Sequence, residues 1–323
     1  MLNNTEIIQA AALLRAGGLV AFPTETVYGL GADAANETAV RNIFQVKGRP
    51  YDHPLIVHLA AMDQLKDWAR DVSPSAMSLA QAFWPGPLTM VLKKQPYVLD
   101  LVTGGQPTVG VRIPSHPDAL ALLKEFHGGV VAPSANKFTH ISPTTAQAVR
   151  EELSGKIDMI LDGGACQVGL ESTIIDMSGD QPVILRPGMI SAKAIEAVLG
   201  VPVLTRRQDT PTIRVPGMHH LHYAPTTKTV LVESSTLPHF LNSLSDDDLP
   251  VVVMTHSVMT LPASDQLKQV TMPNQASAYA HDLYHTLRLL DHQDYKQIVI
   301  ESVPLSAEWE AIRDRLYKAT AER

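Results

Sequence analysis

Short apolar runs alternate along this chain with longer stretches in which apolar residues recur at helical spacing. The short runs predict buried strands at 19–22, 55–59, 88–92, 109–113, 130–132, 159–161, 173–176 and 183–185. The longer stretches predict helices at 6–16, 38–47, 75–83, 117–126, 144–153 and 190–199. Several strands lie too close together in sequence to be joined only by crossover helices, so we expect an α/β fold with a twisted, mixed sheet.

The pattern changes after residue 205. From 206 to 227 the apolar periodicity is lost and prolines, a glycine and histidines accumulate, which is typical of a linker. Beyond it, strands are predicted at 230–232, 251–254, 267–270 and 298–300, with helices at 276–290 and 307–321. We therefore predict a larger domain at 1–205, a linker or lid at 206–227, and a smaller Rossmann-like α/β domain at 228–323. No glycine-rich nucleotide fingerprint follows the first strand of that second domain.

Composition narrows the classes of protein. The chain has 323 residues, of which 45% are hydrophobic and 18% charged, with a formal net charge of −7. This charge argues against a protein that mainly coats nucleic acid. Cys166 is the single cysteine, which excludes intramolecular disulfides, and a packing role for it is favoured over a nucleophilic one. No apolar run is long enough for a membrane span and the first residues do not resemble a secretory signal, so we expect a cytoplasmic protein.

Two motifs near the N-terminus indicate an anion site. The apolar run 19–22 stops at Pro23 and is followed by hydroxyl and glycine residues, Thr-Glu-Thr-Val-Tyr-Gly-Leu-Gly. About a helix length later, Lys47 and Arg49 flank a glycine and precede a proline. Two fixed cations on such a short loop can meet phosphate oxygens that approach the backbone closely.

A second strand end repeats this pattern, because the run Val130-Val131-Ala132 is followed by Pro133, Ser134 and Asn136. Together, the Thr-rich strand end, Lys-x-Arg and Ser-x-Asn resemble the YrdC/Sua5 family of threonylcarbamoyl-AMP synthases. The resemblance continues through the motifs at 108–114, 171–176 and 185–188 and covers roughly the first two thirds of the chain. His-Tyr-Ala-Pro at 222–225 resembles the longer, Sua5-type members, which carry an extra C-terminal domain.

The resemblance implies an enzyme, a nucleotidyltransferase that joins L-threonine, bicarbonate or CO2, and ATP into L-threonylcarbamoyl-AMP and pyrophosphate. The product would serve the modification of tRNA to N6-threonylcarbamoyladenosine at position 37. Mg2+ is expected to arrive with the ATP phosphates, and no protein metal site is predicted. The downstream tRNA threonylcarbamoyl transferase is expected as a partner by hand-over of the product, without membrane association or strong nucleic-acid binding.

The resemblance also assigns residues. The catalytic positions implied are Lys47, Arg49, Ser134 and Asn136. The positions implied for L-threonine are Thr26, His58, Arg112, Ala132 and Ser172. The positions implied for ATP are Arg49, His53, Thr108, Ser134, Ser142, Arg186 and Tyr223.

Three of these residues have alternative interpretations. Arg112 lies within an alternating strand, where a charge needs an anionic partner, and an internal Asp or Glu is as good a candidate as a bound carboxylate. The resemblance favours the carboxylate of the amino acid. His58 can equally be a core histidine, and Ser172 can bond to backbone. Two departures from the family pattern are His53, where relatives usually have Asn, and the loop 137–141, where a Ser-Gly turn is common.

The histidines of the linker allow two hypotheses. His219, His220 and His222 could bind zinc, but they stand on one segment without an obvious fourth ligand. A lid that brings Tyr223 to the nucleotide is the favoured interpretation. At the level of the whole protein, the alternatives are an RNA-binding or ribosome-associated module, and carbamoyl-adenylate chemistry on another acceptor. Low aromatic content, 5%, and negative charge argue against the first.

Overall fold

A computed structural model describes residues 3–205, 213–218, 222–261 and 264–321. The chain divides into two compact units. The first comprises Met1–Phe138 and Ser142–Met218, and the second comprises Thr139–Ile141 and His219–Arg323. A short segment between Asn136 and Ser142 therefore belongs to the second unit, which the sequence did not predict. The boundaries expected at 205/206 and 227/228 stay predictions.

The first unit contains seven α-helices and ten strands within its described residues. The helices are α1 (Asn4–Arg15), α2 (Glu37–Lys47), α3 (Pro74–Phe83), α4 (Asp100–Thr103), α5 (Pro117–Phe126), α6 (Ala146–Leu153) and α7 (Ala192–Leu199). The strands are β1 (Val20–Phe22), β2 (Gly29–Asp33), β3 (Ile56–His58), β4 (Leu88–Lys93), β5 (Thr108–Arg112), β6 (Val130–Val131), β7 (Met159–Ile160), β8 (Thr173–Asp176), β9 (Val183–Arg186) and β10 (Leu204–Thr205).

These strands form one sheet in the order β10-β9-β8-β4-β5-β3-β6-β2-β1-β7. Neighbouring strands are antiparallel in the pairs β1/β2, β2/β6, β3/β6, β4/β5 and β8/β9. They are parallel in β1/β7, β3/β5, β4/β8 and β9/β10. The expectation of a mixed sheet is confirmed, and the order places the central strands β3, β5 and β6 beside one another.

Strand β2 was not predicted, because Gly-Leu-Gly-Ala-Asp lacks the β-branched and aromatic residues that mark strands. The reason for the glycines is packing against β1. A Cβ on Gly31 would lie 2.8 Å from the ring of Phe22 and 3.0 Å from the carbonyl oxygen of Val20. Tertiary contact therefore selects glycine here against its low strand propensity.

Two large apolar cores lie within the described residues of the first unit. The larger joins α2, α3 and the central strands through residues such as Phe44, Leu79 and Val111, and the smaller joins α1 and α5 through Leu14 and Leu122. Cys166 is buried in the larger core, and burial raises the pKa of its thiol to about 12. The packing role predicted for this cysteine is confirmed.

The second unit is a small parallel α/β fold. Its strands are β11 (Lys228–Val232), β12 (Val251–Thr255), β13 (Leu267–Thr271) and β14 (Gln297–Glu301), and its α-helices are α8 (Leu237–Asn242), α9 (Ala276–Asp291) and α10 (Glu310–Ala319). The sheet order is β11-β14-β12-β13, with every pairing parallel. The Rossmann-like prediction is confirmed, although α8 was missed because it is short and carries a proline in its first turn.

Part of the predicted linker packs on the first unit. Ile213, Val215 and Met218 join an apolar cluster with Ile56 and Ile174 on the central sheet. The remainder of that stretch, 206–212 and 219–221, which includes His219 and His220, lies outside the described residues. Over the part of the chain that the structure describes, no helix combines the length and apolar character needed to cross a membrane.

Gly188 provides a test of the packing around the Leu-Arg-Pro-Gly motif. A Cβ at this position would lie 2.3 Å from the backbone nitrogen of Thr173. Backbone atoms of a central strand cannot move aside, so we expect Gly188→Ala to lower the free energy of unfolding by about 1–3 kcal/mol. Urea unfolding followed by circular dichroism measures the change.

Gly179→Ala is the matched control, because no heavy atom lies within 4 Å of a Cβ at that position. Its effect should stay within about 0.5 kcal/mol. Equal stability of the two variants would show that the close approach of Gly188 and Thr173 is wrong.

Candidate active site

The connection between β1 and β2 is a buried turn built from hydroxyl groups. The Oγ1 of Thr24 donates to the carbonyl oxygen of Val27 at 2.6 Å and accepts from the backbone nitrogens of Thr26 and Val27, each at 3.2 Å. Such Thr side chains replace backbone partners in tight turns. The next residues place β2 beside Ser134 through a bridge at Gly29. The first and second sequence motifs are therefore neighbours in space.

Lys47 joins the Lys-x-Arg motif to the Ser-x-Asn motif. Its ammonium group donates to the carbonyl oxygens of Ser134 and Asn136, and its side chain is buried at the end of α2. Burial and, second, the neighbouring Arg49 lower the pKa of Lys47 to about 7. The amide nitrogen of Asn136 donates in turn to the carbonyl oxygen of Lys137 at 2.7 Å.

Arg49 and His53 contact the same aromatic ring. Arg49 donates from Nη2 to the carbonyl oxygen of Pro54 at 3.0 Å, and its guanidinium carbon lies 5.8 Å from the centre of the Phe138 ring. The ring of His53 meets that of Phe138 edge to face, at 5.2 Å between centroids. Phe138 lies in the loop 137–141, which is one departure from the family pattern, and His53 is the other. The two departures are therefore in contact.

Arg112 has the internal acidic partner that the sequence left open. Its Nη2 lies 2.6 Å from Oε1 of Glu25, in an ion pair whose side chains are both buried. The contact is close although its angles are not those of a hydrogen bond, and burial without bulk water makes it electrostatically strong. Arg112 also donates from Nη1 to Oγ1 of Thr26 at 3.0 Å and from Nε to the carbonyl oxygen of Gly86 at 3.2 Å.

His58 ends β3 opposite Arg112 on β5, and Ala132 directly follows the neighbouring strand β6. His58 is buried, and its Nδ1 lies 3.2 Å from the carbonyl oxygen of Ile56. Burial, with Arg112 as the second cause, lowers the pKa of His58 to about 3, so the imidazole is neutral at physiological pH. The backbone nitrogen of Ala132 donates to the carbonyl oxygen of Ile56 at 3.1 Å.

Ser172 and Arg186 form a third polar group. Arg186 donates from Nε and Nη2 to the carbonyl oxygen of Ser172, at 3.1 and 2.9 Å, and from Nη1 to that of Pro216 at 3.1 Å. The hydroxyl of Ser172 lies 2.8 Å from that of Thr89 on β4. Arg186 thus holds the described part of the linker as well as its own strand neighbour.

Two carboxylates in this region were missed as site residues. Glu25 pairs with Arg112 and accepts from the backbone nitrogen of Ser115 at 3.1 Å, and Glu171 accepts from the hydroxyl of Ser142 at 2.6 Å. Each belongs to a motif that was singled out, at 23–31 and 171–176. The sequence signal that could have identified them is an acidic residue within a run of residues expected to be buried. A buried carboxylate is nearly always paired, so such a residue implies a specific partner.

Thr108 offers a buried hydroxyl for a ligand. Its Oγ1 has no hydrogen-bond partner among the described residues, while its side chain is buried. It lines a narrow space, with Thr89 and Gly110, under residues 213–216. The space measures about 10 Å3, enough for roughly one water molecule. An unpaired hydroxyl in a wall of the central sheet fits a hydrogen bond to a bound molecule.

Tyr223 belongs to the second unit, unlike the other predicted site residues. It is buried with a left-handed backbone, φ 62°, and its ring lies 4.1 Å from that of His222 and 5.7 Å from that of Tyr284. The guanidinium of Arg315 lies 5.2 Å from its centroid. Its role with ATP stays a prediction, as does the zinc hypothesis, since His219 and His220 are outside the described residues.

A metal ion has no ready-made set of side-chain ligands in this part of the chain. Among the described residues, no group of three or more His, Cys, Asp or Glu side chains is placed to hold one. The two carboxylates of the site are held by Arg112 and Ser142, respectively.

The pKa of Lys47 can be measured directly. In the protein labelled with 13C and 15N at lysine, one side-chain signal should titrate near pH 7, and Lys47→Arg should remove it. Because the folded pKa lies below that of the unfolded chain, the contribution of Lys47 to the free energy of unfolding rises with pH from about 7 to the usual lysine pKa.

Lys268→Arg serves as the control, since Lys268 is exposed on β13 of the second unit, and it should leave the signal near pH 7 in place. If every lysine signal stays in its charged form to about pH 9, the burial assigned to the Lys47 ammonium is wrong.

Comparisons with known proteins follow the same two-part division. Residues 12–188 match the Sua5/YciO/YrdC family model, described as telomere recombination, and residues 190–321 match the model described as the threonylcarbamoyl-AMP synthase C-terminal domain. A threonylcarbamoyl-AMP synthase of Bacillus subtilis is 42% identical over 99% of this chain and 94% of its own length. One of Pyrococcus abyssi is 38% identical over 97% and 94%, respectively.

The solved structures agree with the sequences. The crystal structure of Pyrococcus abyssi Sua5 complexed with L-threonine is 37% identical and superimposes with a TM-score of 0.92, covering 99% of this chain and 95% of that one. The similarity therefore covers both units of this chain and is not confined to one of them. With both family models and full-length relatives in agreement, the chain belongs to the YrdC/Sua5 family of threonylcarbamoyl-AMP synthases, in its two-domain Sua5 form.

Proposed function

We propose that this chain condenses L-threonine, bicarbonate or CO2, and ATP into L-threonylcarbamoyl-AMP and pyrophosphate. The observation that carries the proposal is the joining of Lys-x-Arg to Ser-x-Asn through the ammonium of Lys47. The same unit also holds the buried cation Arg112, paired with Glu25. Relatives that span the whole chain and are named threonylcarbamoyl-AMP synthases favour this reaction over an RNA-binding module or another carbamoyl acceptor.

The threonine half of the site is assigned to Arg112 and its neighbours. A guanidinium has five N–H donors, and the hydrogen bonds to Thr26 and Gly86 occupy two of them, while Nη2 forms the ion pair with Glu25. The remaining donors can hold the carboxylate of the amino acid, while Glu25 fixes the orientation of the guanidinium. Neutral His58, Ala132 and Ser172 complete the predicted threonine positions, and a neutral imidazole avoids repelling the substrate ammonium.

The ATP half of the site is assigned to the cations on the other motifs. Lys47 donates to the carbonyl oxygen of Ser134, Arg49 to that of Pro54 and Arg186 to that of Ser172. All three cations are assigned to the triphosphate, and the approach of that polyanion favours the charged form of Lys47. Hydroxyl and amide groups come from Ser134, Ser142, Asn136 and Thr108. The other predicted contacts of ATP are His53 and Tyr223.

The chemistry follows from this arrangement. The threonine amine adds to CO2 with loss of a proton, giving a carbamate whose oxygen attacks the α-phosphorus of ATP. The bond from that phosphorus to the bridging oxygen breaks, and pyrophosphate leaves with the electron pair. Lys47, Arg49 and Arg186 would stabilise the charge on the departing group. Mg2+, entering with ATP, would supply further charge neutralisation on the phosphates.

Access to Thr108 requires movement of the linker. Residues 213–216 leave about 10 Å3 above this part of the sheet, far too little for a nucleotide. We therefore assign residues 213–216 to a lid, held here by the bond from Arg186 to Pro216. A bound phosphate would compete with the carbonyl oxygen of Pro216 for the guanidinium of Arg186. Binding of ATP would therefore favour release of the lid.

The product would pass to the tRNA threonylcarbamoyl transferase for N6-threonylcarbamoyladenosine at position 37. A carbamoyl adenylate is a labile mixed anhydride, which favours transfer within one compartment. Because ATP and tRNA meet in the cytoplasm, we assign the reaction there.

The activity can be tested with the purified full chain, ATP, Mg2+ and bicarbonate. We expect pyrophosphate release that depends on both L-threonine and bicarbonate, with a product of the mass of L-threonylcarbamoyl-AMP. L-Valine, which lacks the hydroxyl, and reactions without an amino acid should stay near background, while L-serine measures how strongly the methyl group is read. Release that is independent of amino acid, or no release from folded protein, would contradict the proposal.

Thr108 tests the nucleotide assignment without disturbing the fold. Thr108→Val should raise the KM for ATP about three- to tenfold, the range expected for one neutral hydrogen bond, and leave or improve stability, because an unpaired buried hydroxyl is removed. Steady-state kinetics and urea unfolding measure the two effects.

Thr89→Val is the matched control in the same wall. It deletes a hydroxyl that is already paired with Ser172, so it should lower the free energy of unfolding by about 1–3 kcal/mol. A Thr108→Val enzyme with unchanged KM for ATP would remove Thr108 from the nucleotide site.

A further inference from the structure

A second cavity lies entirely within the C-terminal unit. It has a volume of about 220 Å3 and sits beyond the carboxyl ends of β11, β12 and β14. Its walls include Glu233, His256 and Ser302, which are the residues directly after those strands. The proposed synthase reaction uses none of them.

Topology explains why a cavity forms there. The crossover from β11 to β12 contains α8 and passes β14, and the crossover from β13 to β14 contains α9 and passes β12 in the opposite direction. After β14 the chain enters α10, which contacts α9 and β11. Right-handed crossovers that run in opposite directions place their helices on opposite faces of a sheet. Adjacent strands β11 and β14 therefore send their connections apart, and such switch points are where open α/β sheets bind ligands.

His256 is held in a defined orientation at this point. The carboxylate of Glu301 is fully buried and accepts from the backbone nitrogens of His256 and Ser257, at 2.8 and 3.0 Å, and from the hydroxyl of Ser257 at 2.6 Å. Burial opposes ionisation, but these bonds lower the pKa of Glu301. Its Oε2 lies 3.0 Å from Nδ1 of His256, and Nε2 makes no hydrogen bond within the described residues.

The cavity also presents one fixed cation and one anion. Arg313 uses Nη1 for the carbonyl oxygens of Pro304 and Ser306, at 2.6 and 3.0 Å. Its Nε and Nη2, the edge that matches a carboxylate in two parallel bonds, bind nothing among the described residues. Glu233 accepts from the hydroxyl of Ser302 through Oε1 at 3.1 Å, which leaves Oε2 for another donor.

We propose that this cavity binds a small zwitterion, a free α-amino acid. The carboxylate of the ligand would meet the Nε–Nη2 edge of Arg313, and its ammonium would meet Glu233. Leu305 and Tyr317, both largely exposed at 84% and 58%, supply apolar surface for a side chain. The volume suits a ligand of this size.

The test is calorimetric titration of the full chain with each of the twenty L-amino acids, their N-acetyl derivatives and their amides. At least one free amino acid should bind, and both blocked forms should bind about tenfold more weakly, since each loses one charge-assisted contact. Arg313→Gln and Glu233→Gln should each weaken the free amino acid about tenfold.

The Glu233→Gln variant gives the most informative comparison between free and blocked ligands. Because Glu233 makes few structural contacts, a change in binding reports on the ligand contact. In this variant the free amino acid and its N-acetyl derivative should bind alike, as the partner of the ammonium is gone. Lys268→Gln, which removes an exposed cation of the same unit, should change nothing. L-Threonine bound in the first unit would not respond to any of these changes.

Two results would overturn the proposal. One is the absence of any amino acid whose affinity responds to Arg313→Gln or to Glu233→Gln. The other is equal weakening of free and N-acetylated ligands by Glu233→Gln, which would exclude an ammonium contact. Thermal denaturation of each variant separates loss of binding from loss of fold.

Discussion

Burial of positive charge is the constraint around which the first unit is organised. Four cations are buried at or beside the ends of α2, β5 and β9: Lys47, Arg49, Arg112 and Arg186. A cation removed from water is stable only with good hydrogen bonds or a counter-charge. The contacts of these cations differ, and the difference separates the proposed threonine half of the site from the proposed ATP half.

Arg112 receives a full counter-charge from Glu25, whereas Lys47, Arg49 and Arg186 rest on backbone carbonyl oxygens. Pairing with a carboxylate fixes orientation and leaves a modest local charge, which suits a single substrate carboxylate. Carbonyl oxygens satisfy the hydrogen bonds of Lys47 without cancelling its charge, which suits the polyanion of the proposed reaction. Burial and, second, the neighbouring Arg49 depress the pKa of Lys47, which expresses the cost of holding this charge away from water. In the proposed reaction, charges fixed in this way would favour catalysis by positioning.

The second unit takes part of its structure from the middle of the first. Thr139–Ile141 belong to it, held by bonds from the backbone nitrogen of Ala224 to Thr139 at 3.0 Å and from Arg288 to Ile141 at 2.8 Å. Asn136, predicted as catalytic, and Ser142, predicted for ATP, flank this segment in the sequence. With its own cavity at the switch point of the parallel sheet, it has features that a simple structural brace would not need.

The chain by itself determined the α/β class, the small parallel C-terminal sheet and most helices and strands, because apolar periodicity is a local property. It also determined the family, since Lys-x-Arg, Ser-x-Asn and the motifs at 171–176 and 185–188 are short and well spaced. Only the tertiary structure decided what pairs with what. Strand β2 depends on the ring of Phe22. Arg112 pairs with Glu25 across 86 intervening positions. Thr139–Ile141 join a unit whose other residues begin more than seventy positions further along the chain. Such contacts depend on where the sheet order brings distant segments together, and no local pattern of residues encodes that distance.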